Sequence, residues 1–290
     1  MSAARAAAPT HAEDIERGYN NRAAVPDHPA WFARYAAASD EAVAALSPRR
    51  DVRFGRGPKE TLDLFLPTGT PRGTLAFIHG GYWRSLDKAQ HGFVAPAFVA
   101  QGLAVANINY DLCPSVTVAE IVAQTTRAIA LLARDAARLG LAGPLVVAGH
   151  SAGGHLAAML VSCQWKAVGR DLPADLVKGV LAIGGLFDLE PLRHTPYLME
   201  DLQLTAASAR RLSPVHIPAP KAPVITLAGA LESEEFLRQN GLLREAWGVK
   251  AVPVCESIAE RDHMTAVDTL AEPQGRVHEL VLGLLDHPGG

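Results

Sequence analysis

The chain has 290 residues, of which 49% are hydrophobic and 20% charged, the balance of a globular protein with a large core. Its formal net charge of -3 provides no basic surplus to neutralise a phosphate backbone, which argues against nucleic acid as a partner. No stretch reaches the ~20 apolar residues that a membrane span requires, so we expect no membrane partner either.

The N-terminus and the cysteines bear on the compartment. The first twenty residues contain no apolar run of signal-peptide length, and their acidic residues argue against a transit peptide. Cys113, Cys163 and Cys255 lie far apart, and an odd number of cysteines cannot close a complete disulfide framework. We therefore expect reduced thiols and a cytoplasmic protein.

The N-terminal part of the chain has a helical pattern. Residues 13–48 contain several aromatic side chains and no strand pattern. We expect residues 1–50 to form a helical segment that either caps the pocket or lies on a flank of the fold. The same segment could instead build a homodimer contact, and the sequence does not decide between these arrangements.

After this segment, strand and helix patterns alternate. "DVRF" and "TLDLFL" predict an antiparallel edge pair. The further predicted strands are 74–79, 103–110, 144–150, 177–185, 223–229 and 251–257. Their apolar residues are consecutive, as in parallel strands that are covered on both faces. The predicted helices between and after them are 89–102, 117–140, 152–164, 233–248 and 274–287.

These patterns predict an α/β fold with a mostly parallel, doubly wound sheet and an antiparallel N-terminal edge. The helix after 116 has a capping box, Thr117 with Glu120, and a terminal glycine, Gly140. We expect residues 51–290 to form one catalytic domain, interrupted by a proline-rich insertion around residues 186–216.

One strand-to-helix junction carries the sequence "GHSAG". The pattern G-x-S-x-G between a buried strand and a helix is typical of a nucleophile elbow, in which a tight turn exposes the serine hydroxyl. Ser151 is therefore the predicted nucleophile. Attack on a carbonyl creates an oxyanion, and the N–H group of Ala152 would be one of its donors.

The loop after the first parallel strand, "HGGYW", would supply the other oxyanion donors. Gly80 and Gly81 have no side chains to block their N–H groups. Tyr82 and Trp83 would then wall the pocket, with Trp83 mainly packing. We expect His79 to orient the loop by hydrogen bonding rather than to act as the catalytic base.

A serine nucleophile needs an imidazole base and a carboxylate that orients it, in the chain order serine, acid, histidine. His263, in the loop after the last strand, has both the order and the position. Glu232, in the turn after the strand 223–229, is the predicted acid. Asp188 is its main rival, and Asp262 is too close to the histidine in sequence to turn back toward it.

With these residues, the chain resembles the α/β-hydrolase superfamily and, within it, the kynurenine formamidase (arylformamidase) family. The resemblance rests on "HGGYW", "GHSAGGHLAA", "ALESEEFLRQ", "RDHMTAV" and the N-terminal "YNNRAAVPDHPAWFARYAAAS". The acid position departs from the animal members of the family, which carry aspartate where this chain has Glu232.

The resemblance implies a hydrolase that cleaves the C–N bond of a linear amide, converting N-formyl-L-kynurenine to L-kynurenine and formate. Such an enzyme takes a small-molecule substrate and needs no cofactor and no metal. A roomy aromatic wall would face the leaving group, and its candidates are Tyr82, Phe187, Tyr197 and Trp31.

Two other functions remain open from the sequence. The same residues would serve a carboxylesterase of small-acyl aryl or alkyl esters. A ligand-binding protein on an inactive hydrolase scaffold is the alternative from another class, although such proteins usually lose a triad member.

Overall fold

A computed structural model describes residues 12–286 of the chain. Residues 1–11 and the end of the last predicted helix, His287, lie outside the described residues. The strands are β1 Arg49–Arg53, β2 Thr61–Phe65, β3 Gly73–Ile78, β4 Leu103–Ile108, β5 Leu145–His150, β6 Val177–Ile183, β7 Val224–Gly229 and β8 Val254–Ile258. Together they form one eight-stranded sheet.

The sheet has the order β1-β2-β4-β3-β5-β6-β7-β8. β2 pairs antiparallel with both β1 and β4, and all other neighbours are parallel. The strand order reverses between β3, β4 and β5, so the chain winds in both directions from the centre. This confirms the predicted doubly wound sheet with its antiparallel N-terminal edge.

Twelve α-helices lie in the described part of the chain. They are α1 Ala12–Tyr19, α2 Asn21–Ala24, α3 His28–Leu46, α4 Ala95–Val99, α5 Val118–Arg134, α6 Ala136–Leu139, α7 Ala152–Val161, α8 Trp165–Val168, α9 Pro196–Leu202, α10 Ala206–Leu212, α11 Glu234–Ala251 and α12 Arg276–Asp286. Short 3₁₀ turns occupy Lys88–Gln90, Gly92–Val94, Pro191–His194, Pro214–His216 and Thr265–Ala271.

Two hydrophobic cores cover the two faces of the sheet. On one face α7 packs on β5 and β6, and α11 packs on β7. On the other face α4 packs on β4, and α12 packs on β5 and β6. Every residue of β3, β4 and β5 is buried, which explains why their sequences are apolar at consecutive positions.

The predicted signals of the longest crossover helix are present. Thr117 accepts the N–H of Glu120, and the Glu120 carboxylate accepts the N–H of Thr117, which is the expected capping box. Gly140 ends the following turn, α6, in the left-handed conformation with φ 77°. The helical region therefore begins and ends where the sequence predicted.

The N-terminal helices and the segment 186–216 lie next to each other. α1 contacts α11, the turn Pro191–His194 and α9. α3 packs against the turns between residues 88 and 94. The N-terminal helices and the segment 186–216 thus border the carboxyl ends of the strands, where an α/β fold carries its ligand sites.

No helix in the described range 12–286 is long and apolar enough to cross a membrane.

Candidate active site

Ser151 stands in a strained turn between β5 and α7. Its backbone has φ 57° and ψ −119°, and its N–H donates to the carbonyl of Ile183 on β6 at 2.7 Å. A non-glycine residue rarely adopts this conformation, so the surrounding structure must hold it there. The turn brings the serine, 2% exposed, to the wall of a cavity at the carboxyl edge of the sheet.

The two glycines that flank the serine are required by close backbone contacts. A Cβ atom on Gly149 would lie 2.1 Å from the carbonyl oxygen of Gly153. A Cβ atom on Gly153 would lie 2.0 Å from the carbonyl oxygen of Ile78. Neither position can hold a side chain, which accounts physically for both glycines of the G-x-S-x-G pattern.

Glu232 and His263 form a buried hydrogen-bonded pair. The imidazole Nδ1–H of His263 donates to Glu232 Oε2 at 2.6 Å. The other carboxylate oxygen, Oε1, accepts the N–H of Gly229 at 2.7 Å. With Nδ1 occupied in this way, Nε2 is the nitrogen left to exchange a proton with a nucleophile.

Ser151 and His263 line the same cavity. Among the described residues, Ser151 Oγ makes no hydrogen bond to His263 Nε2. Hydrogen bonds between a catalytic base and its partner are often long without substrate and shorten when it binds. The arrangement therefore satisfies the geometric demand that nucleophile and base face one reaction space.

His150 is a site residue that the sequence reasoning missed. Its Nε2–H donates to the carbonyl oxygen of His263 at 2.8 Å, and the two rings are 4.7 Å apart. Burial, together with the nearby His263, holds the pKa of His150 well below its ordinary value of 6.5, so the ring stays neutral. The ring of Phe236 lies 4.5 Å from that of His263. The imidazole of His263 thus packs against two rings.

The rival carboxylates are engaged elsewhere. Asp262 Oδ1 accepts the N–H groups of Met264 at 2.9 Å and Thr265 at 2.8 Å. Asp188 Oδ1 accepts the N–H of Glu190 at 3.1 Å. Neither contacts the imidazole of His263, so the structure places only Glu232 in the position of an orienting acid.

The loop between β3 and the turn at residue 88 presents unused N–H groups beside the serine. The N–H groups of Gly80, Gly81 and Ala152 donate to no acceptor within the described part of the chain. A Cβ atom on Gly80 would lie 3.0 Å from Ser151 Cβ, and Gly81 has φ 99°. The three donors can therefore converge on one oxygen atom next to the nucleophile.

His79 and Tyr110 brace this loop. His79 Nδ1 lies 2.8 Å from the carbonyl oxygen of Gly80, and its ring stacks on Tyr110 with centroids 4.3 Å apart. Burial lowers the pKa of His79. Trp83 is fully buried and packs edge-on against His155. Both side chains thus pack behind the loop rather than facing the cavity.

Of the four aromatic residues expected to line the cavity, two do so in the structure and two do not. Tyr82 and Tyr197 line the cavity, whereas Phe187 and Trp31 do not. The ring of Phe187 is fully buried in the core and lies close against Gly185. Trp31 lies on α3 and donates its Nε1–H to Asp27 Oδ2 at 3.2 Å, outside the cavity.

Residues one and four positions further along α3 take the place of Trp31. Phe32 and Tyr35 line the cavity, and Tyr35 donates its hydroxyl to the carbonyl of Met264 in the histidine loop. Phe32, one residue after Trp31, is turned about 100° around the helix from it, which places its ring on the cavity wall instead of outside.

Nothing in the described residues 12–286 groups three His, Cys, Asp or Glu side chains as metal ligands. The chemistry available to the site is that of a buried acid–histidine pair, a strained serine and converging backbone donors. A mostly parallel sheet with such an elbow after its fifth strand is the architecture of the α/β-hydrolases.

Comparison with known proteins agrees with this class and shows which of its families this chain is similar to. The BD-FAE family model matches residues 62–194. The kynurenine formamidase of Salmo salar is 28% identical over 247 residues, which are 81% of each chain. The chain therefore belongs to the α/β-hydrolases, enzymes acting on amide or ester bonds, and is similar to the kynurenine formamidases.

Solved structures show the same fold. A protein of Silicibacter sp. that is described as a candidate thioesterase has a TM-score of 0.82 and 31% identity, covering 94% of this chain and 99% of its own. The Pyrobaculum calidifontis esterase has a TM-score of 0.65 and 18% identity, covering 97% of this chain and 100% of its own.

Proposed function

We propose that the protein is an arylformamidase that hydrolyses N-formyl-L-kynurenine to L-kynurenine and formate through a formyl-serine intermediate. The observation that carries this proposal is the buried Glu232–His263 hydrogen bond at 2.6 Å, beside a strained serine in the same cavity. The kynurenine formamidase of Salmo salar, similar over 81% of this chain, supports the choice of a formamide.

In the first half-reaction, Ser151 Oγ attacks the formyl carbon while His263 Nε2 takes the hydroxyl proton. The carbonyl oxygen becomes an oxyanion that accepts hydrogen bonds from the N–H groups of Gly80, Gly81 and Ala152. Glu232 stabilises the imidazolium that forms. The C–N bond then breaks, and His263 returns its proton to the aryl nitrogen, which releases the amine and leaves a formyl ester on the serine.

In the second half-reaction, water attacks the formyl ester. His263 Nε2 takes a proton from the water, and the same backbone N–H groups hold the second oxyanion. Collapse of this intermediate breaks the bond between the formyl carbon and Ser151 Oγ, and the proton on His263 restores the serine hydroxyl. Formate leaves, and the enzyme returns to its starting state.

The narrow space next to the nucleophile supports a small acyl group. Gly80 approaches Ser151 so closely that an added Cβ would meet both Ser151 Cβ and the carbonyl oxygen of His150, at 2.9 Å from the latter. The cavity wall of Phe32, Tyr82 and Tyr197 offers aromatic contacts to a leaving group. A formyl group on an aromatic amine fits this arrangement, with the formyl group beside Ser151 and the aromatic ring against the wall.

A carboxylesterase of small-acyl esters is the second candidate, because the same groups cleave activated esters and the Pyrobaculum calidifontis esterase shares the fold. The test is to measure kcat/KM for N-formyl-L-kynurenine, 4-nitrophenyl acetate and 4-nitrophenyl butyrate. We expect the formamide to be the best substrate and the butyrate the worst. Absence of formylkynurenine turnover, with good ester turnover, would replace the formamidase by the esterase.

A further inference from the structure

The cavity wall carries more positive than negative side chains. Two arginines, Arg22 and Arg84, line the cavity, and no aspartate or glutamate does. Arg84 has its own partner, because its guanidinium is ion-paired with Asp201 and lies 4.2 Å from the centre of the Tyr197 ring. The uncompensated positive charge of the wall is therefore that of Arg22.

Arg22 lies on α2 and is partly buried. Its Nη2 donates to Ser85 Oγ at 3.1 Å, and its guanidinium lies 5.9 Å from the centre of the Phe32 ring. Within the described residues no carboxylate lies within salt-bridge distance of it. Most of its five N–H donors thus have no protein acceptor among these residues.

The guanidinium stands beside the oxyanion loop. Ser85 Oγ, which accepts from Arg22, donates in turn to the carbonyl oxygen of Gly81 at 3.0 Å. Gly81 is one of the three residues with an unused N–H group. An anion bound by Arg22 would accordingly sit in the same cavity as the reacting carbonyl, one side chain away from it.

The segment that carries Arg22 is fixed to the site at two points. The Tyr82 hydroxyl donates to the carbonyl oxygen of Tyr19 at 2.6 Å. Ser233, which follows the acid in sequence, donates its hydroxyl to the carbonyl oxygen of Gly18 at 2.6 Å. These bonds tie the end of α1 to the oxyanion loop and to the acid turn, and the hydrogen bond to Ser85 orients the guanidinium before a ligand arrives.

We propose that Arg22 binds a carboxylate on the leaving-group part of the substrate and so selects substrates that carry one there. This inference rests on the proposed function and adds to it a residue that determines specificity. A planar guanidinium matches a carboxylate with two parallel hydrogen bonds. A cavity wall with positive charge, and with no carboxylate among its described residues, attracts such a carboxylate.

The first test compares two formamides. Arg22→Gln should raise KM for N-formyl-L-kynurenine by about 10- to 100-fold, the usual effect of a lost hydrogen-bonded charge pair, with a smaller change in kcat. The same variant should change kcat/KM for uncharged formanilide by less than about twofold. Arg17→Gln, on α1 and exposed, is the matched control and should affect neither substrate.

The second test does not require any turnover. Binding of 3-benzoylpropanoate and of its uncharged amide is measured by titration calorimetry on the wild type, Arg22→Gln and Arg22→Lys. We expect the acid to bind roughly tenfold or more tightly than the amide in the wild type, and this preference to disappear in Arg22→Gln and to survive in part in Arg22→Lys.

The outcomes separate the two proposals. If the acid is preferred through Arg22 but N-formyl-L-kynurenine is not hydrolysed, the formamidase function fails and the carboxylate site stands. If formylkynurenine is hydrolysed but Arg22→Gln changes both formamides equally, or the wild type shows no preference for the acid, the role of Arg22 is refuted. Unchanged amide binding in Arg22→Gln verifies that the variant is folded.

Discussion

The two sides of the cavity are built differently. The acyl side consists of two loops that follow neighbouring strands, β3 and β5, and places Gly80 against Ser151. The leaving-group side is formed by α2, α3 and α9, which lie outside the sheet. In the proposed function, the reaction chemistry belongs to the sheet edge, whereas substrate choice belongs to the helices around it.

The largest expected effect is on the acyl side, at the nucleophile and the base. Ser151→Ala or His263→Ala should each lower kcat by roughly 10⁶-fold, since triad members act as a unit. Steady-state assays on N-formyl-L-kynurenine measure this loss, and thermal melts verify the fold. Residual activity within tenfold of the wild type would mean that another group attacks the carbonyl.

The orienting acid comes next in size. Glu232→Ala should lower kcat by about 10⁴-fold, because the imidazole loses the partner that fixes its tautomer. Asp188→Asn is the control, since its side chain still accepts the N–H of Glu190 and should leave kcat unchanged. The reverse pattern, a crippled Asp188 variant and an active Glu232 variant, would show that the acid has been misassigned.

The oxyanion loop should give a smaller loss. Gly81 has φ 99°, and a Cβ there would lie 2.2 Å from the carbonyl oxygen of Ser85. Gly81→Ala should displace the N–H donors and lower kcat by about 10²-fold. Gly69 also has positive φ, 83°, but no atom lies within 4 Å of its added Cβ. Gly69→Ala should therefore affect stability alone, and equal kcat losses in both variants would contradict this reading.

Substitutions on the leaving-group side should change KM more than kcat. Phe32→Ala removes an aromatic contact and should raise KM for N-formyl-L-kynurenine by roughly tenfold, with little change in kcat. Trp31→Ala, the adjacent position on α3, should leave KM unchanged because its ring is outside the cavity. A larger effect at Trp31 than at Phe32 would overturn the wall that the structure defines.

The smallest effect concerns stability beneath the acyl side. Burial lowers the pKa of His155, on α7, to about 4 from its ordinary 6.5. The unfolded chain therefore takes up a proton below pH 6.5 that the folded chain refuses, so stability falls as the pH drops from 6.5 toward 4. In thermal melts at these two pH values, His155→Gln should reduce the difference in Tm, and an unchanged difference would exclude this cause.

Much of the fold could be predicted because each signal is local. Fully buried strands are apolar at consecutive positions, and β3, predicted at 74–79, runs from 73 to 78. The region 89–102, expected to be one helix, contains two 3₁₀ turns and only a short α4, with Pro96 in its first turn. The last strand begins at Val254, three residues later than expected, because α11 continues through the break at Gly248 to Ala251.

The site residues also differ in whether a local sequence signal predicts them. The residues of the acyl side and the acid–histidine pair occur in motifs with fixed positions after strands, and the structure brings them together at one edge of the sheet. Apart from Tyr82, which belongs to the HGGYW loop, the wall residues are not predicted from a motif. Whether Phe187 or Trp31 faces the cavity depends on how its element packs, and Arg22, Phe32 and Tyr35 carry no sequence signal that separates them from other residues of a helical segment.

The central claim is that Ser151 accepts the formyl group while His263, oriented by Glu232, moves the proton. Rapid acid quenching of the wild type during turnover of N-formyl-L-kynurenine, followed by peptide mass mapping, tests it most directly. The account predicts a formyl ester on the peptide that contains Ser151 and none in Ser151→Ala. A wild type that releases formate at full rate with an unmodified serine, or a Ser151→Ala variant that still does so, would contradict it.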